Sequence, residues 1–262
     1  MNKSGNHRGT ERILDIFELL TNIENAGLTL TEISEKLNVP KSSILPLLHT
    51  MVSRGYLHCN QVNQKYFLGY KLYEIGTKYL NKKNTMDDAL YEIMQDVVQA
   101  CRETVALGKL DAGDVIYVQK IDLFEKLRLY SAIGRRLPAY STSLGKALLS
   151  EKSKEEILRL YPEGMYPLTS NTITDVDVLF EELQQVKRTG FAFDCEESVY
   201  FVRSISIPIW DGASIQYGLQ VNISTADYSL DKEEYIKKIL IDAKRKMEPL
   251  LEKQRLQARP VR

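Results

Sequence analysis

Near residue 103 the hydrophobic period of this chain changes, and that change limits the folds open to it. Upstream, apolar residues recur at helical spacing; downstream, they fall into short runs bounded by turn residues, which is the pattern of strands. Over 262 residues this reads as a mostly helical N-terminal part joined to an α+β part built on an antiparallel sheet. The longest apolar runs fall short of the ~18 residues that a membrane span needs. Residues 1–10 are polar and lack the apolar stretch of a signal peptide, so a cytoplasmic protein with no membrane partner is expected.

Ile13, Leu14, Ile16, Phe17, Leu19 and Leu20 predict an amphipathic helix over about residues 10–23, broken by Asn25-Ala26-Gly27. Thr29 followed by Glu32 has the spacing of a capping box. It opens a second helix, about 30–38, whose apolar face is Leu30, Ile33 and Leu37. Asn38-Val39-Pro40 is a short turn, because Pro40 disfavours a helical Val39. A third helix starts near Lys41 to Ser43 and runs to about Arg54, with Leu47, Leu48, Met51 and Val52 as candidate core and Gly55 in the left-handed capping position. Two short helices around such a turn make a helix-turn-helix, whose second helix enters the DNA major groove. Tyr56–Cys59 and Lys65–Gly69, around a polar turn, predict a hairpin that serves as the wing.

The charge distribution agrees with that reading. The chain carries 35 basic and 35 acidic residues, which taken globally argues against a polyanion ligand. Locally, no Asp or Glu occurs from Lys36 through Tyr73, while Lys36, Lys41, Arg54, Lys65, Lys71, His49 and His58 all do. Double-stranded DNA is the expected partner. Lys41, Ser42, Ser43, Leu45 and, one turn later, His49 are the candidate contacts, with Lys65 in the wing reaching phosphate. Each of these residues taken singly reads equally well as solvated surface. Pro46 is awkward, since an interior proline costs ~3 kcal/mol. The helix is expected to begin late, near Ser42 or Ser43, or to lose a hydrogen bond there.

Tyr70–Leu80 and residues 85–101 read as helices separated by the polar Asn81–Asn84. Their apolar stripe is either a dimerisation face or is covered by its own domain. Beyond them, strands are expected at 104–110, 115–121, 127–132, 191–194, 202–210 and 215–224. Residues 134–140 read as an irregular loop, and helices are expected from Ser143 to Leu149 and at 153–160, 175–189 and 230–253. The resulting organisation is 8–70 for the DNA-binding domain, 71–84 for a helical linker and 85–255 for the second domain.

The second domain offers little for catalysis. The chain has no phosphate-binding loop, dinucleotide fingerprint, zinc-protease motif or nucleophile elbow, and its histidines stand only at positions 7, 49 and 58. Cys59, Cys101 and Cys195 are too far apart for a metal or redox motif. No catalytic residue, metal or cofactor is expected, and adjacent Glu196 and Glu197 are weak evidence for an enzyme. A binding site is easier to place. The loop before Ser143 leads into a helix N-terminus, which suits an anion, and Ser141, Thr142 and Ser143 add hydroxyls. Ordinary helix capping explains the same residues.

Several stretches resemble the IclR family, the isocitrate-lyase-regulator type of bacterial transcription factors. They are Glu11-Arg12-Ile13-Leu14-Asp15, Leu30–Leu37, Pro40-Lys41-Ser42-Ser43 and Gly55-Tyr56-Leu57, then Leu137-Pro138-Ala139-Tyr140-Ser141-Thr142-Ser143-Leu144-Gly145-Lys146-Ala147-Leu148-Leu149, then Thr189–Asp194 with Glu196-Glu197. The resemblance covers about residues 8–255. It implies a GAF-like (profilin-like) effector-binding domain, a homodimer or homotetramer, and a small-molecule effector such as an organic acid, a sugar acid or an aromatic compound. By matching positions, it implies an effector pocket using Ser143, Leu144, Asp194, Ser204, Asn222 and Ser224. The sequence departs from the family where Pro46 replaces an arginine that many members carry, and where Ser143 and Leu144 exceed the small residues often found there. A DNA-binding oligomer without an effector, or an enzyme with an appended winged helix, remain the alternatives.

Overall fold

The computed structural model describes residues 7–21, 27–80, 85–122 and 133–257. The chain divides into two compact units, Met1–Asn84 and Thr85–Arg262.

The first unit runs α1 (Arg8–Thr21), β1 (Leu28–Thr29), α2 (Leu30–Leu37), α3 (Lys41–Ser53), β2 (Leu57–Asn60), β3 (Lys65–Leu68) and α4 (Tyr70–Leu80). Thr29 caps α2 in the expected capping box: its hydroxyl accepts from the Glu32 amide at 3.3 Å, and Glu32 Oε2 accepts from the Thr29 amide at 2.7 Å. Asn38 ends α2 in the left-handed region, with φ 50°. Gly55, at φ 76°, closes α3: its amide donates to Val52 O at 3.0 Å and the Tyr56 amide to Met51 O at 2.9 Å. This doubly bonded Schellman geometry needs a residue free of left-handed strain. Ile16, Ile33, Ile44 and Leu48 are fully buried and lock the three helices together. Ile44 joins this core although the sequence reading named only later positions of α3. The hairpin β2–β3 gains a third strand, β1, to give the order β1-β3-β2. Two residues are too short to leave a period in the sequence, and the pairing of Leu28 with Tyr66 is made across the domain.

The helix α3 begins at Lys41, not late, and takes Pro46 into its second turn. The proline ring removes the amide that Ser42 O would accept, so the hydrogen-bond loss expected from the sequence is the branch the chain takes. Burial of Ile44 and Leu48 on either side of Pro46 holds the helix regular despite that loss.

The second unit places α5 (Thr85–Cys101) before β4 (Thr104–Asp111), β5 (Asp114–Ile121) and β6 (Arg136–Pro138). There follow α6 (Ser143–Leu149), α7 (Lys154–Leu160), α8 (Val176–Thr189), β7 (Ala192–Cys195), β8 (Val202–Trp210), β9 (Ile215–Ser224) and α9 (Leu230–Gln257). The six strands form one antiparallel sheet in the order β6-β5-β4-β9-β8-β7. Strand alternation splits its residues between two cores. Val105, Leu107, Ile205, Ile207, Leu219 and Val221 face α5 and α9. Ala106, Val115 and Tyr117 face α6, α7 and α8. The stripe Leu90, Met94, Val97 and Val98 of α5 is therefore covered by its own unit, whereas Tyr70, Tyr73 and Ile75 of α4 are exposed.

Residues 134–140 are not wholly irregular. Arg136–Pro138 pairs with Asp114–Ile116, and Arg136 bridges Asp111 at 2.7 Å and Asp114 at 3.2 Å. Three residues again show no alternation of their own. The expected strand at 127–132 lies outside the described residues. No helix among the described residues is long and apolar enough to cross a membrane.

Candidate functional site

On α3 the outward stripe is Lys41, Ser42, Pro46, His49, Thr50 and Ser53, all exposed, with Ser43 and Leu45 half-buried beside it. Helical spacing makes these one face, since positions three and four apart are neighbours. Pro46 and Thr50 stand in that stripe and were not among the sequence candidates; the i, i+4 step from Ser42 would have found them. Thr50 Oγ1 donates to Pro46 O at 2.9 Å, which fixes its rotamer. Lys65 differs from the others. It lies half-buried near Glu32, whose carboxyl is held below the ordinary range by the Thr29 amide and hydroxyl first and by Lys65 in addition.

In the second unit, the three hydroxyls at the start of α6 have separate tasks. Ser141 Oγ donates to Pro138 O at 2.8 Å, and Thr142 Oγ1 caps α6 by accepting from the Gly145 amide at 2.9 Å. Capping thus occupies Thr142, and only Ser143 turns its hydroxyl onto the sheet. Its Oγ lies 2.8 Å from Ser206 Oγ and accepts from Gln220 Nε2 at 3.1 Å. Leu144 is fully buried, its side chain packed over Gly108 and Gly218, which are paired across β4 and β9. A Cβ on Gly108 would come within 2.7 Å of Leu144 Cδ2. Any ligand contact by Leu144 therefore falls to its backbone. Gly145 lets α6 approach the preceding turn, for a Cβ there would stand 2.0 Å from Ala139 O.

The sheet face beneath Ser143 is polar in two rungs. Antiparallel register places Asp194, Ser204, Asn222 and Thr104 side by side on β7, β8, β9 and β4. The adjacent rung carries Ser206, Gln220, Ala106 and Lys120. Thr104 Oγ1 donates to Asp122 Oδ1 at 3.1 Å, and Lys120 Nζ pairs with the same oxygen at 2.9 Å. Of the expected effector residues, Ser143, Asp194, Ser204 and Asn222 come to this one face. Ser224 is further along β9, where its hydroxyl accepts from the Ala226 amide at 3.3 Å. Tyr117, Ser206, Gln220, Thr104 and Lys120 were missed. The two-residue alternation of β8 and β9 could have supplied Ser206 and Gln220.

Asp194 is almost fully buried, and burial raises its carboxyl above the ordinary value. Bonds from Ser198 and from the Glu197 amide, the latter at 2.7 Å on Oδ1, work against that rise. Behind it, Lys146 is wholly buried with Nζ 2.6 Å from Glu197, 2.5 Å from Glu182 and 3.1 Å from Phe193 O. Burial alone would lower Lys146, but Glu197 and Glu182 hold its ammonium above the ordinary lysine value. Burial pushes the Glu197 carboxyl up to about 7, against the pull of Lys146. Glu196 Oε1 accepts from the Phe201 amide at 2.7 Å. Glu196 thus holds the 195–201 loop while Glu197 faces the buried Lys146, its Oε2 without a partner among the described residues, and a catalytic pair finds no support in this geometry.

Comparison with known proteins follows the same division. Residues 9–60 match the model of the IclR helix-turn-helix domain, and residues 77–248 match that of the bacterial transcriptional regulator IclR C-terminal domain. The chain is 32% identical over 228 residues to the HTH-type transcriptional regulator KdgR of Escherichia coli K12, covering 86% of each protein. It superposes on an IclR transcriptional regulator from Alicyclobacillus acidocaldarius with a TM-score of 0.80 at 23% identity, over 94% of this chain and 99% of that one. An IclR homolog from Microbacterium hydrocarbonoxydans, solved in complex with 4-hydroxybenzoate, superposes with a TM-score of 0.76 at 21% identity, over 93% and 99%. The relatives compared by sequence are named as transcriptional regulators, not enzymes. A helix-turn-helix unit and an antiparallel-sheet unit, each matched by its own domain model, place this chain in the IclR family of bacterial transcriptional regulators.

Proposed function

We propose that the chain binds a short, roughly palindromic DNA operator as a homodimer or homotetramer, and that a small organic or sugar acid held on the polar face beneath α6 controls that binding. The observation that carries the effector half is the rung Asp194–Ser204–Asn222–Thr104, next to the Ser206–Gln220 rung that Ser143 contacts. Hydroxyl, amide and carboxyl groups seldom line a domain interior unless something uses them. The family relative in complex with 4-hydroxybenzoate supports a small carboxylate as the class of ligand. The exposed stripe Lys41, Ser42, Pro46, His49 and Thr50 on α3, with Ser43 and Leu45 at its edge, is the proposed base-reading surface. Lys65 contributes charge near the wing. A DNA target places its action in the cytoplasm.

Mobility shift with genomic fragments at ~100 mM salt, with and without a panel of organic and sugar acids, tests this. The expected result is one or a few preferred fragments whose binding changes with one class of acid, and loss of that response in Ser143→Ala. A preferred fragment with no response to any acid would favour a DNA-binding oligomer without effector. No preferred fragment would refute the operator reading.

A further inference from the structure

We infer that the rung next to the one described above is a hydroxyl-reading subsite, in which Gln220, backed by Ser143, Ser206 and Tyr117, selects an effector that carries an alcohol group. This rests on the effector-controlled reading and specifies its ligand. Gln220 is 2% exposed. Its Nε2 donates to Ser143 Oγ at 3.1 Å, and its side chain also meets the Tyr117 hydroxyl, itself buried. Ser143 Oγ in turn lies 2.8 Å from Ser206 Oγ. Ser143 and Tyr117 therefore hold the Gln220 side chain in place, and Ser206 supports it at one remove through Ser143. The amide oxygen, Oε1, is buried and has no partner among the described residues.

A buried amide terminus without a partner is costly, and native interiors rarely leave one unexplained. The neighbours that fix Gln220 make it a pre-set group, since its rotamer is paid for before a ligand arrives. A hydroxyl satisfies that terminus in either orientation of the amide, because it both donates and accepts. A methylene in the same place satisfies neither. Gln220 and Asn222 are two residues apart on β9 and on one face, so their rungs are about 7 Å apart. A ligand touching both must be an extended hydroxy acid, longer than a two-carbon acid.

The test compares matched acids on the full chain by calorimetry: D-gluconate against hexanoate, and 3-hydroxybutyrate against butyrate. In the unsubstituted protein the hydroxylated member of at least one pair is expected to bind at least about tenfold more tightly. In Gln220→Met, of similar volume and with no terminal hydrogen-bonding group, that ratio should collapse to near one. Ser206→Ala, which removes a support of the network and not Gln220 itself, should reduce the ratio partly and provides the test if the first variant does not fold. Equal binding within both pairs, an unchanged ratio in the foldable variant, or no binding of any acid at about 10 mM overturns the inference. Selective binding that leaves DNA affinity unaltered would instead count against the regulatory reading and leave this one standing.

Discussion

Replacing Lys146 by Met should destabilise the second unit by an amount that grows with pH. The ammonium is wholly buried and makes contacts of 2.6 Å to Glu197, 2.5 Å to Glu182 and 3.1 Å to Phe193 O. Glu182 is 44% exposed and can turn to water, but Glu197 is 7% exposed and cannot. Breaking a buried pair from one side costs about 3–5 kcal/mol, because the remaining charge is left without compensation. Glu197 can escape part of that cost by taking up a proton. Its folded carboxyl titrates at about 7, above the ordinary value of 4.5, so the stability it contributes is present below about pH 4.5 and is lost as the pH rises through about 7. Without Lys146, which pulls that value down, the carboxyl rises further. The variant should therefore lose about 1–3 kcal/mol at pH 6, where the acid is mostly neutral, and about 3–5 kcal/mol at pH 8. For a unit of this size the pH 8 loss lowers the melting temperature by roughly 6–20 °C. Urea unfolding at the two pH values measures it, and Lys146→Met combined with Glu197→Gln should recover much of the pH 8 loss. A deficit below about 1 kcal/mol at pH 8, or one equal at both pH values, would refute the reasoning.

Gly145→Ala should cost at least about 2 kcal/mol in thermal unfolding and abolish any effector response, since the new methyl meets Ala139 O at 2.0 Å and backbone must move. Pro46→Ala should stabilise the first unit by about 1–3 kcal/mol in denaturant titration by restoring the amide that Ser42 O lacks; a neutral or destabilising result would show that the proline is already accommodated. Lys41→Ala should weaken operator binding and lower the slope of log K against log salt by about one, while Ser53→Ala, further along the stripe, should leave that slope unchanged.

The first unit was largely legible in sequence because its signals are local. Thr29 and Glu32 are three residues apart, and Gly55 closes the helix it adjoins, so the capping box and the left-handed cap follow from short spacings alone. What escaped notice there was β1, whose partner is made across the domain. In the second unit the alternation of β8 and β9 gave the strand bounds as they stand, from Val202 to Trp210 and Ile215 to Ser224. It could not say which elements those strands face.

Ser143 marks the boundary between the two kinds of knowledge. The sequence by itself determined that this residue opens a helix, that its domain holds no histidine, and that the acid-free segment from Lys36 to Tyr73 carries the recognition helix and wing. Those properties depend on residue type and on spacings of a few residues, over which chain geometry is fixed. Only the tertiary structure decided that Thr142 caps the helix while Ser143 reaches Ser206 and Gln220, 63 and 77 residues downstream. It also decided that Lys146, an ordinary lysine in sequence, is buried between Glu182 and Glu197. The physical reason is register. One face of the sheet is assembled from strands distant in the chain, and a one-residue slip in any of them would turn Ser206, Gln220 and Asn222 to the opposite side.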